Sequence, residues 1–216
     1  KLTTLPDSIA ALTQMKKLKL NVNMFTTFPK PIVKLTSLTE LSLTDNQLAT
    51  LPDWIAALTT LETLGLSSNQ LVTLPDSFAA LAQMKELHLY NNNFTTLPKP
   101  IAKLTSLTSL SLSGNELVTL PDWIAALTTL ENLDVEGNRF TTFPKPIVKL
   151  TSLTLLLLDS NQLVTIPDEI AALTALKKLG LGFNQLVTLP DSIAFAARCL
   201  HTLFLSGNPL AKPQSS

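Results

Sequence analysis

The sequence predicts an α/β solenoid, a curved horseshoe with a parallel β-sheet on its concave face and short helices or 3-10 turns on its convex face. An asparagine returns every 23 residues, and a last one follows after 24. Apolar residues keep fixed distances from each asparagine, and a proline follows most of them by six positions. The asparagines are Asn23, Asn46, Asn69, Asn92, Asn115, Asn138, Asn161, Asn184 and Asn208.

The strand of each repeat is predicted from the residues just before its asparagine. Before Asn46, inward Leu41 and Leu43 alternate with variable residues, which is the period of a half-buried strand. About twenty residues separate one such strand from the next, and parallel strands need a crossover of this kind. The predicted sheet is therefore parallel throughout.

The segment after the asparagine is predicted to return along the opposite face as a short helix. Pro52 stands where the helix begins, a position at which the missing N–H would be unpaired anyway. Ile55 and Leu58 lie three apart and form one buried stripe. Strands pack about 4.8 Å apart and helices about 8–10 Å apart, so the stack must bend with the strands on its inner side.

The complete frame has apolar residues 8, 5 and 3 positions before the asparagine and 2, 5, 9 and 12 positions after it. With its proline, this frame resembles the leucine-rich repeat family in its 23-residue class. That class includes Ras-suppressor-like proteins and many bacterial surface or secreted proteins. The resemblance runs from residue 2 to about residue 210. It implies that the asparagine amides form a ladder and pair backbone groups where each strand turns away.

The frame predicts a single leucine-rich repeat domain over residues 1–216, with about nine repeats. Residues 1–14 match only the second half of a repeat. Because a solenoid needs a polar cap on its terminal core, we expect the native chain to continue upstream. Residues 194–216 are predicted to form an irregular C-terminal repeat and cap, with the polar tail 212–216 closing the array.

Charge, hydropathy and cysteine content restrict the classes of partner and location. The 16 basic and 16 acidic residues cancel, which argues against nucleic acid and against an anionic membrane surface. No run of about eighteen apolar residues is present, so no membrane span is predicted. With one cysteine, no intrachain disulfide can form, and a cytosolic or bacterial origin fits best. A secreted or cell-surface bacterial location is favoured over a cytoplasmic one.

The sequence offers little material for catalysis, and we predict neither enzymatic activity nor a cofactor. His88 and His201 are more than a hundred residues apart, and the six glycines form no phosphate-binding motif. Cys199 is close to His201 in sequence, but no third group is present to orient the pair. We expect Cys199 to pack in the core.

Residues 2–69 recur as residues 71–138, and the differences between the two copies are unevenly distributed. Four positions of each repeat, 6, 4, 2 and 1 residues before the asparagine, are predicted to face the concave side. We call them the sheet face. Of the 12 sheet-face positions in the block, 11 differ between the copies, whereas 9 of the other 56 positions differ. This concentration indicates diversification of a binding surface, with relaxed constraint on that face as the alternative.

The predicted partner-binding residues all belong to the sheet face. They are Lys17, Lys19, Glu86, His88, Tyr90, Asn132, Asp134, Glu136, Leu155, Leu157, Asp159, Phe183 and Phe204. Exposed apolar patches rimmed by charge often mark protein contact sites, and aromatic or apolar anchors dominate binding energy. We therefore expect the C-terminal half to contribute most, unless the C-terminal cap covers it.

Two further features leave alternatives open. Glu136 and Asp159 occupy the same column on adjacent strands, where two carboxylates can share a weakly bound cation. A solvated acidic patch is the alternative. Trp54 and Trp123 precede the helical isoleucine, and they either cover neighbouring helices or form a second contact site.

Together these features predict a non-catalytic protein–protein interaction module that binds a partner through its concave face. One alternative is a secreted or surface bacterial adhesin, of virulence type, that recognises a host protein or glycan. The other is an intracellular signalling scaffold, as in Ras-suppressor-like relatives. A signal sequence upstream of Lys1 would distinguish the two alternatives.

Overall fold

The computed structural model describes residues 1–196 and 199–211, which form an open solenoid. Within these residues nine strands pair in chain order to make one parallel sheet. Each strand has three residues: β1 Lys17–Lys19, β2 Glu40–Ser42, β3 Thr63–Gly65, β4 Glu86–His88, β5 Ser109–Ser111, β6 Asn132–Asp134, β7 Leu155–Leu157, β8 Lys178–Gly180 and β9 Thr202–Phe204. The predicted α/β solenoid with a parallel sheet is confirmed.

The sheet keeps one register from end to end. Leu41 of β2 pairs with Leu64 of β3 across 23 residues, and Leu179 of β8 pairs with Leu203 of β9 across 24. From β1 to β8 the middle residue of each strand is buried. Its two neighbours therefore point to the opposite side. Equivalent side chains thus form straight columns across the sheet.

In the part of the chain that the structure describes, eight five-residue 3-10 helices form the opposite side of the solenoid. They are Asp7–Ala11, Lys30–Lys34, Asp53–Ala57, Asp76–Ala80, Lys99–Lys103, Asp122–Ala126, Lys145–Lys149 and Asp168–Ala172, and the α-helix Ile193–Ala196 follows them. Extended Pro52 precedes the third of them, and the Leu58 N–H donates to the Ile55 carbonyl at 3.0 Å. Because a 3-10 helix has about three residues per turn, Ile55 and Leu58 face the core together.

A continuous apolar core lies between the sheet and the helices. Ile55, Leu58, Leu64 and Leu66 are all fully buried, and equivalent residues recur from coil to coil. Full burial of such a side chain contributes roughly 1.5–3 kcal/mol. Each coil buries its apolar residues against its neighbours, so the core extends along the stack rather than closing into a globule.

The recurring asparagines form the predicted ladder. The Asn69 Oδ1 accepts a hydrogen bond from the Leu48 N–H at 2.9 Å, within the preceding coil. Its Nδ2 donates to the Leu43 carbonyl of that coil and to the Leu66 carbonyl of its own coil, both at 3.0 Å. Asn69 is 7% exposed. A buried amide with all its partners in place therefore joins each coil to the one before it.

The last strand is more exposed than those before it. In β9, Leu203 is 37% exposed and Phe204 is 43% exposed, because no described strand follows β9. The tail 212–216, which is predicted to cap the array, lies outside the described residues.

Replacing Asn92 by alanine is expected to lower the free energy of unfolding by at least about 2 kcal/mol. The change leaves the Leu71 N–H and the Leu66 and Leu89 carbonyls without their side-chain partner in the interior. Urea denaturation measures the loss. Asn93→Ala is the control, because Asn93 is adjacent and exposed, and its effect should stay within about 0.5 kcal/mol. Equal losses in the two variants would contradict the structural role of the ladder.

Candidate binding surface

The sheet face is formed by the residues that flank each buried strand residue and by the turn that follows. In β2, Glu40 and Ser42 flank buried Leu41, and Thr44 and Asp45 follow. Nine of the thirteen predicted binding residues lie in strands. The other four lie two or three residues after the end of a strand: Tyr90, Glu136, Asp159 and Phe183. The strand register brings the predicted residues to one side of the sheet. Most of them line one of two depressions on that side.

Every coil leaves the sheet through a residue with left-handed backbone. The position before the asparagine has φ between 51° and 58° in six coils, and glycine with φ between 62° and 76° in three. A bulky side chain in this conformation costs roughly 1–2 kcal/mol. Phe183, at φ 52°, is nevertheless 65% exposed, and its ring packs against Gly207. An exposed aromatic ring is thus held at this turn at a cost in backbone strain.

The first depression, the N-terminal hollow, lies over β1 to β4 and has a volume of ≈ 430 Å³. It is lined by Lys19, Asn21, Glu40, Leu41, Ser42, Thr44, Thr63, Gly65, Glu86, His88 and Tyr90. Any side chain at position 65 would crowd this hollow, because a Cβ there would lie 2.7 Å from the Ser42 Oγ. Gly65 keeps this space open. The Nε2 of His88 lies 3.6 Å from the Glu86 Oε2, close enough for an ion pair when His88 is protonated.

The charges of the predicted contacts Lys17 and Lys19 in β1 are partly neutralised by Glu40 of β2. Glu40 pairs with the Lys17 Nζ at 2.7 Å and with the Lys19 Nζ at 3.0 Å. Hydrogen bonds from both lysines lower the pKa of Glu40, and the hydrogen bond to Glu40 raises the pKa of Lys17. Glu40 is absent from the predicted set, although the 23-residue spacing places it directly opposite Lys17.

The second depression, the C-terminal hollow, lies over β6 to β9 and has a volume of ≈ 250 Å³. It is lined by Glu136, Leu157, Asp159, Ser160, Lys178, Phe183 and Phe204. The Lys178 Nζ lies 5.0 Å from the centroid of the Phe204 ring, a cation–π distance. Lys178 is absent from the predicted set, although it occupies a sheet-face position. The predicted Asn132, Asp134 and Leu155 lie on the adjoining strands β6 and β7.

Two carboxylates in this hollow hold a proton more readily than usual. Partial burial, together with the negative charges of Asp159 and Asp134, raises the pKa of Glu136. Burial also raises the pKa of Asp159, against the opposing effect of a hydrogen bond from the Gly182 N–H. That N–H donates to the Asp159 Oδ1 at 2.8 Å.

The predicted weak cation site at Glu136 and Asp159 gains no further ligand. Among residues 1–196 and 199–211, no group of three or more His, Cys, Asp or Glu side chains is placed to hold a metal ion. Hard cations such as calcium take about six to eight oxygen ligands. The weak cation site at these two carboxylates therefore stays a prediction, with a solvated acidic patch as its alternative.

Cys199 is exposed, and the prediction that it packs in the core is wrong. Cys199 directly precedes Leu200, the half-buried residue eight positions before Asn208. The equivalent positions in two earlier repeats are the exposed Gln14 and Gln83. The position therefore faces outward. Because the last repeat has one additional residue, this correspondence with the earlier repeats is difficult to recognise in the sequence.

Trp54 covers the neighbouring coil, as the first of the two interpretations of the tryptophans predicts. Trp54 is half-buried and meets Phe28 of the preceding coil edge-to-face, with ring centroids 5.2 Å apart and an interplanar angle of 74°. Trp123 is also half-buried and packs against the core.

The stacked coils, their asparagine ladder and the parallel sheet define a leucine-rich repeat solenoid. The sequence profile of the leucine rich repeat family matches residues 37–94, 82–140 and 145–210. These matches span most of the chain, and the protein belongs to the leucine-rich repeat family. Among curated proteins, none matches the sequence significantly.

Solved structures of bacterial and plant proteins share the fold. A leucine-rich repeat protein of Leptospira interrogans is 37% identical with a TM-score of 0.81, over 98% of this chain and 59% of that one. An internalin (inlF) of Listeria monocytogenes is 29% identical with a TM-score of 0.85, over 98% and 60%. The leucine-rich repeat ectodomain of the Arabidopsis thaliana receptor kinase GASSHO1/SCHENGEN3, in complex with CASPARIAN STRIP INTEGRITY FACTOR 2, is 31% identical with a TM-score of 0.82, over 95% and 26%.

The chain thus spans at most 60% of the length of these three proteins. Leucine-rich repeats are a general protein-interaction fold, and the proteins that carry them are typically non-catalytic binding modules. No helix within the described residues is long and apolar enough to cross a membrane.

Replacing Phe183 by glycine is expected to keep the free energy of unfolding unchanged or to raise it by up to about 1 kcal/mol, because glycine adopts the left-handed turn without strain. Urea denaturation measures the change. Val118→Gly is the control, since Val118 is 55% exposed and has no positive φ. That variant should lose about 0.5–1 kcal/mol. A larger loss in Phe183→Gly than in Val118→Gly would show that the turn is not strained.

Proposed function

We propose that the protein is a non-catalytic interaction module that binds a protein partner through the sheet face, with the thirteen predicted residues as contacts. The observation that carries the proposal is the distribution of differences between residues 2–69 and 71–138. They fall on 11 of 12 sheet-face positions and on 9 of the 56 others. General tolerance of exposed positions would also have altered the helix side, yet Asp53 and Trp54 recur there as Asp122 and Trp123.

The mechanism is rigid presentation of side chains. Strands β1 to β9 share one register, and the asparagine ladder joins each coil to its neighbour. Side chains on such a backbone lose little conformational entropy when a partner binds. Phe183 and Phe204 are exposed on this face at the C-terminal hollow, and aromatic anchors of this kind contribute strongly to protein interfaces.

The distance between His88 and Cys199 supports a non-catalytic role. His88 lies in β4, whereas Cys199 and His201 directly precede β9, five strands further along the sheet. Adjacent strands are about 4.8 Å apart. A nucleophile needs its base at about 2.6–3.2 Å, so His88 is too far from Cys199 to activate it.

The similar structures favour a secreted or cell-surface bacterial protein that recognises a host protein or glycan over an intracellular scaffold. Two of them come from bacteria, and the third is a receptor ectodomain with a bound factor. The partner itself is not identified by these similarities, because each covers only part of the other protein.

Phe183→Asn combined with Phe204→Asn is expected to abolish partner capture without unfolding the chain. The two rings are 65% and 43% exposed, and asparagine tolerates the left-handed turn at position 183. The full chain and the variant are immobilised and incubated with the same protein extract, and the captured proteins are compared by mass spectrometry. Circular dichroism checks the fold of each variant.

Trp54→Ala combined with Trp123→Ala is the matched control on the helix side, and it should keep the same captured proteins. Each double variant removes two aromatic rings, so the two variants differ in which side of the solenoid loses them. Capture that survives in the phenylalanine variant but is lost in the tryptophan variant would refute the proposed function.

A further inference from the structure

The C-terminal hollow combines an apolar wall with an acidic one. Its apolar and acidic lining residues are Leu157, Phe183, Phe204, Glu136 and Asp159. Its volume of ≈ 250 Å³ is smaller than the roughly 300–1,000 Å³ of small-molecule sites. The hollow therefore suits one or two side chains of a protein partner.

The acidic groups of this region have no basic partner within 4 Å among the described residues. Elsewhere acidic residues do pair, as Glu62 does with Lys85 at 2.8 Å and Glu116 with Arg139 at 3.0 Å. From β4 to β9 the sheet face carries one lysine, Lys178, and four carboxylates, those of Glu86, Asp134, Glu136 and Asp159. The whole chain, with 16 basic and 16 acidic residues, is neutral. This local negative charge is complementary to a basic partner.

One ammonium group already lies in the hollow. The Lys178 Nζ is 5.0 Å from the centroid of the Phe204 ring, and its positive charge acts to lower the pKa of Asp159 against the larger effect of burial. The hollow thus already holds the protein's own ammonium group, that of Lys178, beside an aromatic ring and a carboxylate. Asp134 and Glu136 add two negative charges that Lys178 alone does not balance.

The fold does not require these carboxylates. In the first internal copy, Gly65 and Ser67 stand where the second copy has Asp134 and Glu136. Both copies pair with their neighbours in the same register. The environment of Glu136 also disfavours its charged form, since it raises the pKa of this group. A charge that the fold neither needs nor favours, such as that of Glu136, indicates a ligand.

We infer that the C-terminal hollow accepts a lysine or arginine side chain of the protein partner, next to an apolar residue in the partner's sequence. The cationic head lies against the carboxylates of Glu136 and Asp159, and the apolar neighbour packs on Leu157 and Phe183. This inference rests on the proposed function and adds the chemistry of the partner segment. A basic side chain is favoured over a metal ion, because no third ligand joins the two carboxylates in the described residues.

Binding of this kind depends on pH in a defined direction. Burial and the negative charges of Asp159 and Asp134 raise the pKa of Glu136, and burial raises the pKa of Asp159. A bound cation lowers both pKa values. Asp134 and Lys178 face the same region and contribute one charge of each sign. Because the cation attracts only the ionised carboxylates, affinity should rise as the pH rises through the two raised pKa values. It should fall as the pH drops below them.

Selection of a phage-displayed library of random linear peptides against the full chain tests the inference. Peptides enriched at neutral pH are expected to carry Lys or Arg next to a large apolar residue. The combined variant Glu136→Gln and Asp159→Asn should bind them about tenfold more weakly. For the unmodified chain, binding should also weaken at about pH 4.5. Asparagine at position 159 keeps an acceptor for the Gly182 N–H, so the variant should fold.

The control is Asp76→Asn combined with Asp45→Asn, which removes the same charge from two exposed positions that lie outside both hollows and outside the predicted contact set. It should keep the affinity within about twofold. Three results would overturn the inference: no enriched binder, enriched peptides without basic residues, or affinity unchanged by the Glu136 and Asp159 substitutions. Peptides that respond only to the control variant would likewise overturn the inference, because their affinity does not depend on Glu136 and Asp159. Peptides that respond only to the Trp54 and Trp123 substitutions would also refute the proposed function.

Discussion

The hydrogen bonds of the buried asparagine side chains determine how every coil is placed on the one before it. The Asn92 amide accepts from the Leu71 N–H of the preceding coil and donates to the Leu66 carbonyl of that coil and the Leu89 carbonyl of its own. A buried amide without partners is costly, so each coil must leave the sheet at the same point. That requirement keeps the strands in register, including across the 24-residue spacing before Asn208.

Because the core and the ladder determine the backbone, the sheet face is free to vary. Its shape depends on small differences between columns. Gly65 leaves room in the N-terminal hollow, and the Asp159 carboxylate occupies the space that a Cβ on Gly180 would need. The charge of the sheet face also varies along the sheet. Glu40 partly neutralises Lys17 and Lys19 at the N-terminal end. The carboxylates around the C-terminal hollow have no basic partner among the described residues. The two hollows therefore differ in chemistry on one common scaffold.

The sequence alone could predict the solenoid, the parallel sheet and the position of each strand, since one period of apolar residues dictates all three. It could not decide between α and 3-10 helices, because Ile55 and Leu58 share a face in either. It could predict which side chains lie on the sheet face but not which of them meet. The Lys17 and Lys19 ion pairs with Glu40 depend on side-chain reach, and the environment of Cys199 depends on a repeat with one additional residue.

Site-specific photocrosslinking tests most directly whether the sheet face is the contact surface. Benzoylphenylalanine replaces, one at a time, Tyr90 and Phe183 on the sheet face and Trp54 and Trp123 on the helix side. All four positions already hold aromatic residues, so each change is conservative. We expect crosslinks to the captured protein from Tyr90 or Phe183 and none from the tryptophan positions. Crosslinks from the tryptophan positions alone would contradict a partner bound on the sheet face.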